Sequence, residues 1–193
     1  DKVPSDLRTR YERQMDDLLC QIADASGGCF VVDSSKSTRD CTGRPLALYR
    51  YSSVNLKVIH LVRDGRGVAW SAIRSGGSQE RKRVTEFRPY NFFRTTLSWT
   101  FTNFLALLTR RKLDDEHCME LRYEDLIGQP DEQLRRIGKF TGLDVQPIID
   151  RLEHDEALAV GHNLGGNRVR FNRTIRFKPD QKWKNEMPYF YKL

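Results

Sequence analysis

Leu7, Tyr11, Met15, Leu18, Leu19 and Ile22 recur at intervals of three and four along an otherwise polar stretch, which predicts an amphipathic helix over residues 5–25. Gly27 and Gly28 stop it, because glycine takes the left-handed backbone that closes a helix end. Cys29-Phe30-Val31-Val32 is a short apolar run between turn residues and predicts a buried strand, with Asp33-Ser34-Ser35-Lys36-Ser37 at its carboxyl end. A short helix is predicted over 44–51. The run Lys57-Val58-Ile59-His60-Leu61-Val62 predicts a second buried strand, closed by Arg63-Asp64-Gly65-Arg66-Gly67, and residues 67–74 return to helical spacing. The strongest helical pattern covers 90–111, where Phe93, Leu97, Phe101, Phe104, Leu105 and Leu108 mark the apolar face. Met119-Glu120-Leu121-Arg122-Tyr123 predicts a third strand, and Pro130 opens a helix that reaches Thr141 before Gly142. Residues 81–88 are polar and basic and read as a surface loop. From Gly161 onward the chain is rich in Asn, Gly and Arg and reads as irregular.

Helices alternating with short apolar strands predict an α/β architecture, a mostly parallel sheet flanked by helices. The 193 residues, 38% apolar, are enough for one substantial core, and residues 1–193 read as a single domain. No apolar stretch reaches the roughly 18 residues of a membrane span. Asp1-Lys2-Val3-Pro4 lacks an initiator Met and has no apolar run behind it, so the start is not a secretory signal. The chain reads as N-terminally incomplete, the C-terminal portion of something longer. The balance of 33 basic against 26 acidic residues attracts polyanions such as nucleic acid, acidic glycan or a multiply phosphorylated small molecule; equally, it describes a plain basic surface. Cys20, Cys29, Cys41 and Cys118 form no CxxC, and two of them sit in strand-like runs, which predicts buried free thiols rather than disulfides. The four histidines form no HxxxH pair, and no metal is expected.

Ligands of parallel sheets bind beyond the carboxyl ends of the strands. Three predicted strands end in polar segments, at 33–37, 63–67 and 123–125. In the middle one Arg63 closes the strand, glycines allow a tight turn and a helix begins at once. The N–H groups of that helix start and the Arg63 guanidinium suit an anion, to which Ser71 would add a hydroxyl. The plainer reading pairs Arg63 with Asp64 or a neighbouring acid and lets Ser71 face a strand. Gly65-Arg66-Gly67-Val68-Ala69-Trp70 is no dinucleotide fingerprint, because Trp70 stands where a third glycine must be. No GxxxxGK[ST] occurs. Asn172-Arg173-Thr174 is a glycosylation triplet of a kind that arises often by chance.

The segments 33–37, 57–71 and 121–126, taken in order with Gly165-Gly166-Asn167-Arg168-Val169-Arg170-Phe171 and Asp180-Gln181-Lys182-Trp183, resemble successive blocks of the sulfotransferase superfamily. The tail is similar to bacterial-type and carbohydrate-type members. The resemblance implies a P-loop NTPase-like sulfotransferase fold, without the early strand, phosphate loop and helix that grip the 5′-phosphosulfate. It implies 3′-phosphoadenosine 5′-phosphosulfate as donor, 3′,5′-bisphosphoadenosine as product, and no metal. Arg63 and Ser71 would hold the 3′-phosphate and Tyr123 would contact the adenine. Asn167 and Arg170 would close over the nucleotide from a segment at about 161–180. Lys36 matches a lysine close to the transferring sulfuryl group, a catalytic role. Trp183 is expected to be structural.

No general base is named by the resemblance. His60 reads as a satisfied core residue, His162 is loop-borne, and Asp33 is simplest as a partner of Lys36. The acceptor is a hydroxyl or amine of a small molecule, carbohydrate or peptide; no nucleic-acid partner is expected. Cytoplasm is the favoured compartment, with the Golgi lumen as the alternative should a signal anchor have been removed. Two other readings stand beside this one. A P-loop kinase-like phosphotransferase needs a Walker lysine and a magnesium ligand. A non-catalytic polyanion-binding module would use Arg81, Lys82, Arg83 and Arg88.

Overall fold

A computed structural model describes residues 3–33, 43–74, 89–159, 174–176 and 182–192. The chain groups into two compact units, Asp1–Val58 with Leu105–Met119, and Ile59–Phe104 with Glu120–Leu193.

In the first unit, helix α1 (Ser5–Ser26) ends on Gly27 at φ 63°, the left-handed cap expected there. Helix α2 (Arg44–Tyr51) carries Pro45 in its first turn, where its missing N–H has no partner in any case. Tyr11 and Tyr51 meet edge to face at 6.4 Å. Asp16 accepts hydrogen bonds from the Ser52 and Ser53 hydroxyls, each at 2.5 Å, and these hold its carboxyl below the ordinary range. The eight-residue α2 is short against the 22 residues of α1, and no α1 residue is buried. The predicted strand at 29–32 does not form. These residues pair with no strand among the described residues, and Val32 is 84% exposed. Apolar character alone does not make a strand without a neighbour to take its backbone hydrogen bonds. Cys29 is consequently exposed rather than buried, as is Cys20, whereas Cys118 is buried; Cys41 lies outside the described residues. Asp33 pairs with Arg44 at 3.1 Å, and Lys36 lies outside the described residues.

Strands β1 (Val58–Val62) and β2 (Cys118–Arg122) are neighbours in a two-stranded parallel sheet. The entry to both is tied by the Val58 N–H donating to the His117 carbonyl at 2.8 Å, and by His117 Nδ1 at 2.8 Å from the Leu56 carbonyl.

The second unit carries α3 (Gly65–Arg74), most of α4 (Pro89–Arg110), α5 (Tyr123–Gly128), α6 (Pro130–Thr141), α7 (Gln146–Glu153) and α8 (Lys182–Glu186). Two-residue strands β3 (Leu158–Ala159) and β4 (Thr174–Ile175) pair antiparallel. The α6–α7 corner is tight, with Ile149 1% exposed and Gly138 so close to the next turn that an added Cβ would lie 2.9 Å from the Leu143 carbonyl oxygen. A core cluster joins Ala69 of α3, Phe92 of α4 and Met187 after α8, with Trp70, Trp183 and Tyr191 packed around it. This cluster turns α4 by one position from the expected face: Phe92 is buried, while Phe93 and Leu97 are 54% and 71% exposed. No described helix is long and apolar enough to cross a membrane.

Candidate functional site

Parallel pairing brings the carboxyl ends of β1 and β2 out side by side. Beyond β1 stand Arg63 and Asp64; beyond β2, Tyr123 and Glu124 open α5 directly, so the third predicted strand stops one residue earlier than its apolar pattern. The Arg63 guanidinium lies over the Tyr123 ring, 4.6 Å from its centroid. The Asp64 N–H donates to Glu124 Oε1 at 2.9 Å. Two successive residues at one strand end are therefore gripped by two successive residues at the other.

Asp64 caps α3. Its Oδ1 accepts from the Arg66 backbone N–H at 2.8 Å and from Arg66 Nε at 3.1 Å, while Oδ2 accepts from Arg66 Nη2 at 2.8 Å. A carboxylate at this position satisfies a helix-start N–H that has no partner within the helix. The hydrogen bonds from Arg66 hold the Asp64 carboxyl below the ordinary range against a smaller opposing effect of burial. Asp64 thus pairs with Arg66 and not with Arg63. The cap also corrects the expectation that the N–H groups of this helix start stand open to an anion, since part of that role is filled from within the chain.

Arg66 also donates from Nη1 to the Lys192 carbonyl at 2.8 Å, and its guanidinium lies 4.6 Å from the Trp183 ring centroid. The two glycines serve close approach rather than a left-handed turn, because neither has positive φ. A Cβ on Gly65 would sit 3.0–3.2 Å from the Trp99 ring. One on Gly67 would sit 3.1 Å from Trp183 Cδ1 and 3.3 Å from Arg63 Nε. The turn is closed on by two indoles.

Of the residues singled out in the sequence, Arg63 and Tyr123 are brought into contact. Ser71 is exposed on α3, one turn after Gly67 and on the same helix face, the face that meets Arg63 at Gly67. Lys36, Asn167 and Arg170 lie outside the described residues, as do His162 and the 81–88 basic cluster. Trp183 packs against the core cluster, as a structural residue does, yet also touches the turn. His60 departs from expectation: its Nδ1 is buried without a hydrogen-bond partner among the described residues. Glu124, Arg66 and Trp99 were not foreseen; an aspartate just before a helix, followed two residues later by arginine, was the available signal for Arg66. Among the described residues no group of three His, Cys, Asp or Glu is placed to hold a metal ion.

The family model described as "Sulfotransferase family" matches residues 11–147. Carbohydrate sulfotransferase 4 of Mus musculus is 28% identical over 148 residues, 71% of this chain and 38% of its own length. Carbohydrate sulfotransferase 2 of Homo sapiens is 31% identical, over 54% of this chain and 26% of its own. Protein-tyrosine sulfotransferase A of Caenorhabditis elegans is 26% identical, over 69% and 34%. The chain thus spans between about a quarter and two-fifths of the length of these relatives. Among solved structures, a sulfotransferase domain from the curacin biosynthetic pathway superposes with a TM-score of 0.56 at 20% identity, over 84% of this chain and 54% of that one, and shares the fold.

Proposed function

Since this chain belongs to the sulfotransferase family, we propose that it contributes the nucleotide-holding part of an enzyme that moves a sulfuryl group from 3′-phosphoadenosine 5′-phosphosulfate to an acceptor hydroxyl or amine. The observation that supports this reading most is Arg63, set at the carboxyl end of a parallel strand with its guanidinium over the Tyr123 ring, 4.6 Å from the centroid. A planar guanidinium suits two-pronged recognition of a phosphate. In this reading Arg63 and Ser71 take the 3′-phosphate and Tyr123 borders the adenine. Lys36 neutralises charge at the leaving phosphate, and Asn167 and Arg170 cover the nucleotide. The donor supplies an activated sulfur. A bond forms from the acceptor oxygen or nitrogen to that sulfur as the bond to the bridging phosphate oxygen breaks, and the acceptor proton passes to a base. The chain's part is placement and charge stabilisation. Carbohydrate and protein tyrosine, the words in the relatives' names, are the acceptor classes to try first.

Calorimetry with 3′,5′-bisphosphoadenosine, without magnesium, tests the reading. Binding is expected, and Arg63→Ala is expected to weaken it about 10- to 100-fold, the worth of one or two charge-assisted hydrogen bonds. Unchanged affinity in that variant overturns the assignment. Magnesium-dependent binding of ATP in its place moves the chain to the kinase-like reading.

A further inference from the structure

Asp64 is held at both ends. Glu124 of α5 takes its backbone N–H at 2.9 Å, and Arg66 of α3 takes its carboxylate through the three hydrogen bonds described above. The peptide that carries this N–H is the one joining Arg63 to Asp64, so its orientation, and with it the start of the Arg63 side chain, is set from two separate elements. The far end of Arg63 is set again by the Tyr123 ring, and its Nε stands 3.3 Å from where a Cβ on Gly67 would be. An arginine side chain has many rotamers, and a phosphate site built on it gains from having that freedom removed beforehand.

We infer that Glu124 is a positioning residue for Arg63, acting through the 63–64 peptide. The role rests on the reading of Arg63 as a phosphate ligand. Glu124 sits where a negative charge opposes an anionic ligand, so its presence needs a reason that outweighs that repulsion. The hydrogen bond to Asp64 supplies one. Charge and acceptor separate cleanly by substitution. Glu124→Gln removes the charge and keeps a carbonyl oxygen for the Asp64 N–H, whereas Glu124→Ala removes both.

The test is calorimetric titration of the 193-residue chain with 3′,5′-bisphosphoadenosine in five forms: wild type, Glu124→Gln, Glu124→Ala, Arg63→Ala, and Glu124→Ala combined with Arg63→Ala. Glu124→Gln is expected to bind at least as tightly as wild type, and Glu124→Ala about 3- to 10-fold more weakly than Glu124→Gln, the effect of one hydrogen bond. In the Arg63→Ala background the further change to Ala at 124 is expected to alter affinity less than about two-fold, because a residue that acts through another loses its effect when that other is gone. A purely structural role would not give this coupling. Equal affinity of the Gln and Ala forms overturns the inference while leaving Arg63 in place, and so does an undiminished loss in the Arg63→Ala background. A wild-type chain that does not bind the nucleotide sinks the reading of Arg63, and the positioning role with it. Thermal midpoints of the five forms confirm that each is folded.

Discussion

The Arg63 guanidinium lies over the Tyr123 ring, 4.6 Å from its centroid, so the first residue after one strand is held by the first residue after the other. A cation over an aromatic face is worth about 0.5–2 kcal/mol, more as water is excluded. Tyr123→Leu is therefore expected to weaken 3′,5′-bisphosphoadenosine binding about 3- to 30-fold, whereas Tyr123→Phe, which keeps the ring, stays within about two-fold. Titration calorimetry separates the two variants.

Gly67 leaves room where Trp183 and Arg63 come within 3.1–3.3 Å of an absent side chain. Gly67→Ala adds helix propensity of up to about 1 kcal/mol, but displaces both neighbours. The expected result is a near-neutral thermal midpoint, a weakened nucleotide affinity and a shifted tryptophan emission. Unaltered affinity would show that Arg63 does not depend on this contact.

Asp64 has a depressed folded-state pKa, chiefly through its hydrogen bonds from Arg66. The sign follows from linkage. The stabilisation is complete above the ordinary aspartate value of about 3.9 and disappears as the pH falls through the lower folded value. Asp64→Asn keeps a helix cap but loses the charge. It is expected to lower stability at pH 7 by at most about 1 kcal/mol, since Arg66 is partly exposed. That gap closes below about pH 4. Urea midpoints at a series of pH values check this; a gap that widens on acidification would contradict it.

Gly138 sits in the last turn of α6, where alanine would ordinarily be favoured by up to about 1 kcal/mol. Here an added Cβ would lie 2.9 Å from the Leu143 carbonyl oxygen and from Val145 Cγ2. A backbone carbonyl cannot swing aside as a side chain does, so overpacking of about 1–3 kcal/mol outweighs the propensity. Gly138→Ala is expected to lower the thermal midpoint by several degrees. A raised midpoint would mean that the α6–α7 corner yields.

The helices with strong apolar spacing, α1, α4 and α6, were legible in the sequence because their period is local. The carboxyl end of β1 was legible too, since an arginine closing an apolar run before glycines marks a turn. What depended on tertiary partners was not. The run 29–32 has strand composition and no strand beside it. Lys182–Glu186 has no apolar period, and its helix is supported by Trp183 and Met187 reaching the core cluster. Glu124 reads as one acid in a polar helix start, and nothing local says that a strand end 60 residues away presents an N–H to it.

The chain has three tryptophans, Trp70, Trp99 and Trp183, and each lies on α3 or against the turn that starts it. Residues 1–58 and 105–119 contain none. Intrinsic indole emission is therefore an optical probe of one unit alone, silent about α1 and α2. Those helices carry tyrosines at 11, 49 and 51, and would have to be followed by circular dichroism or tyrosine absorbance instead.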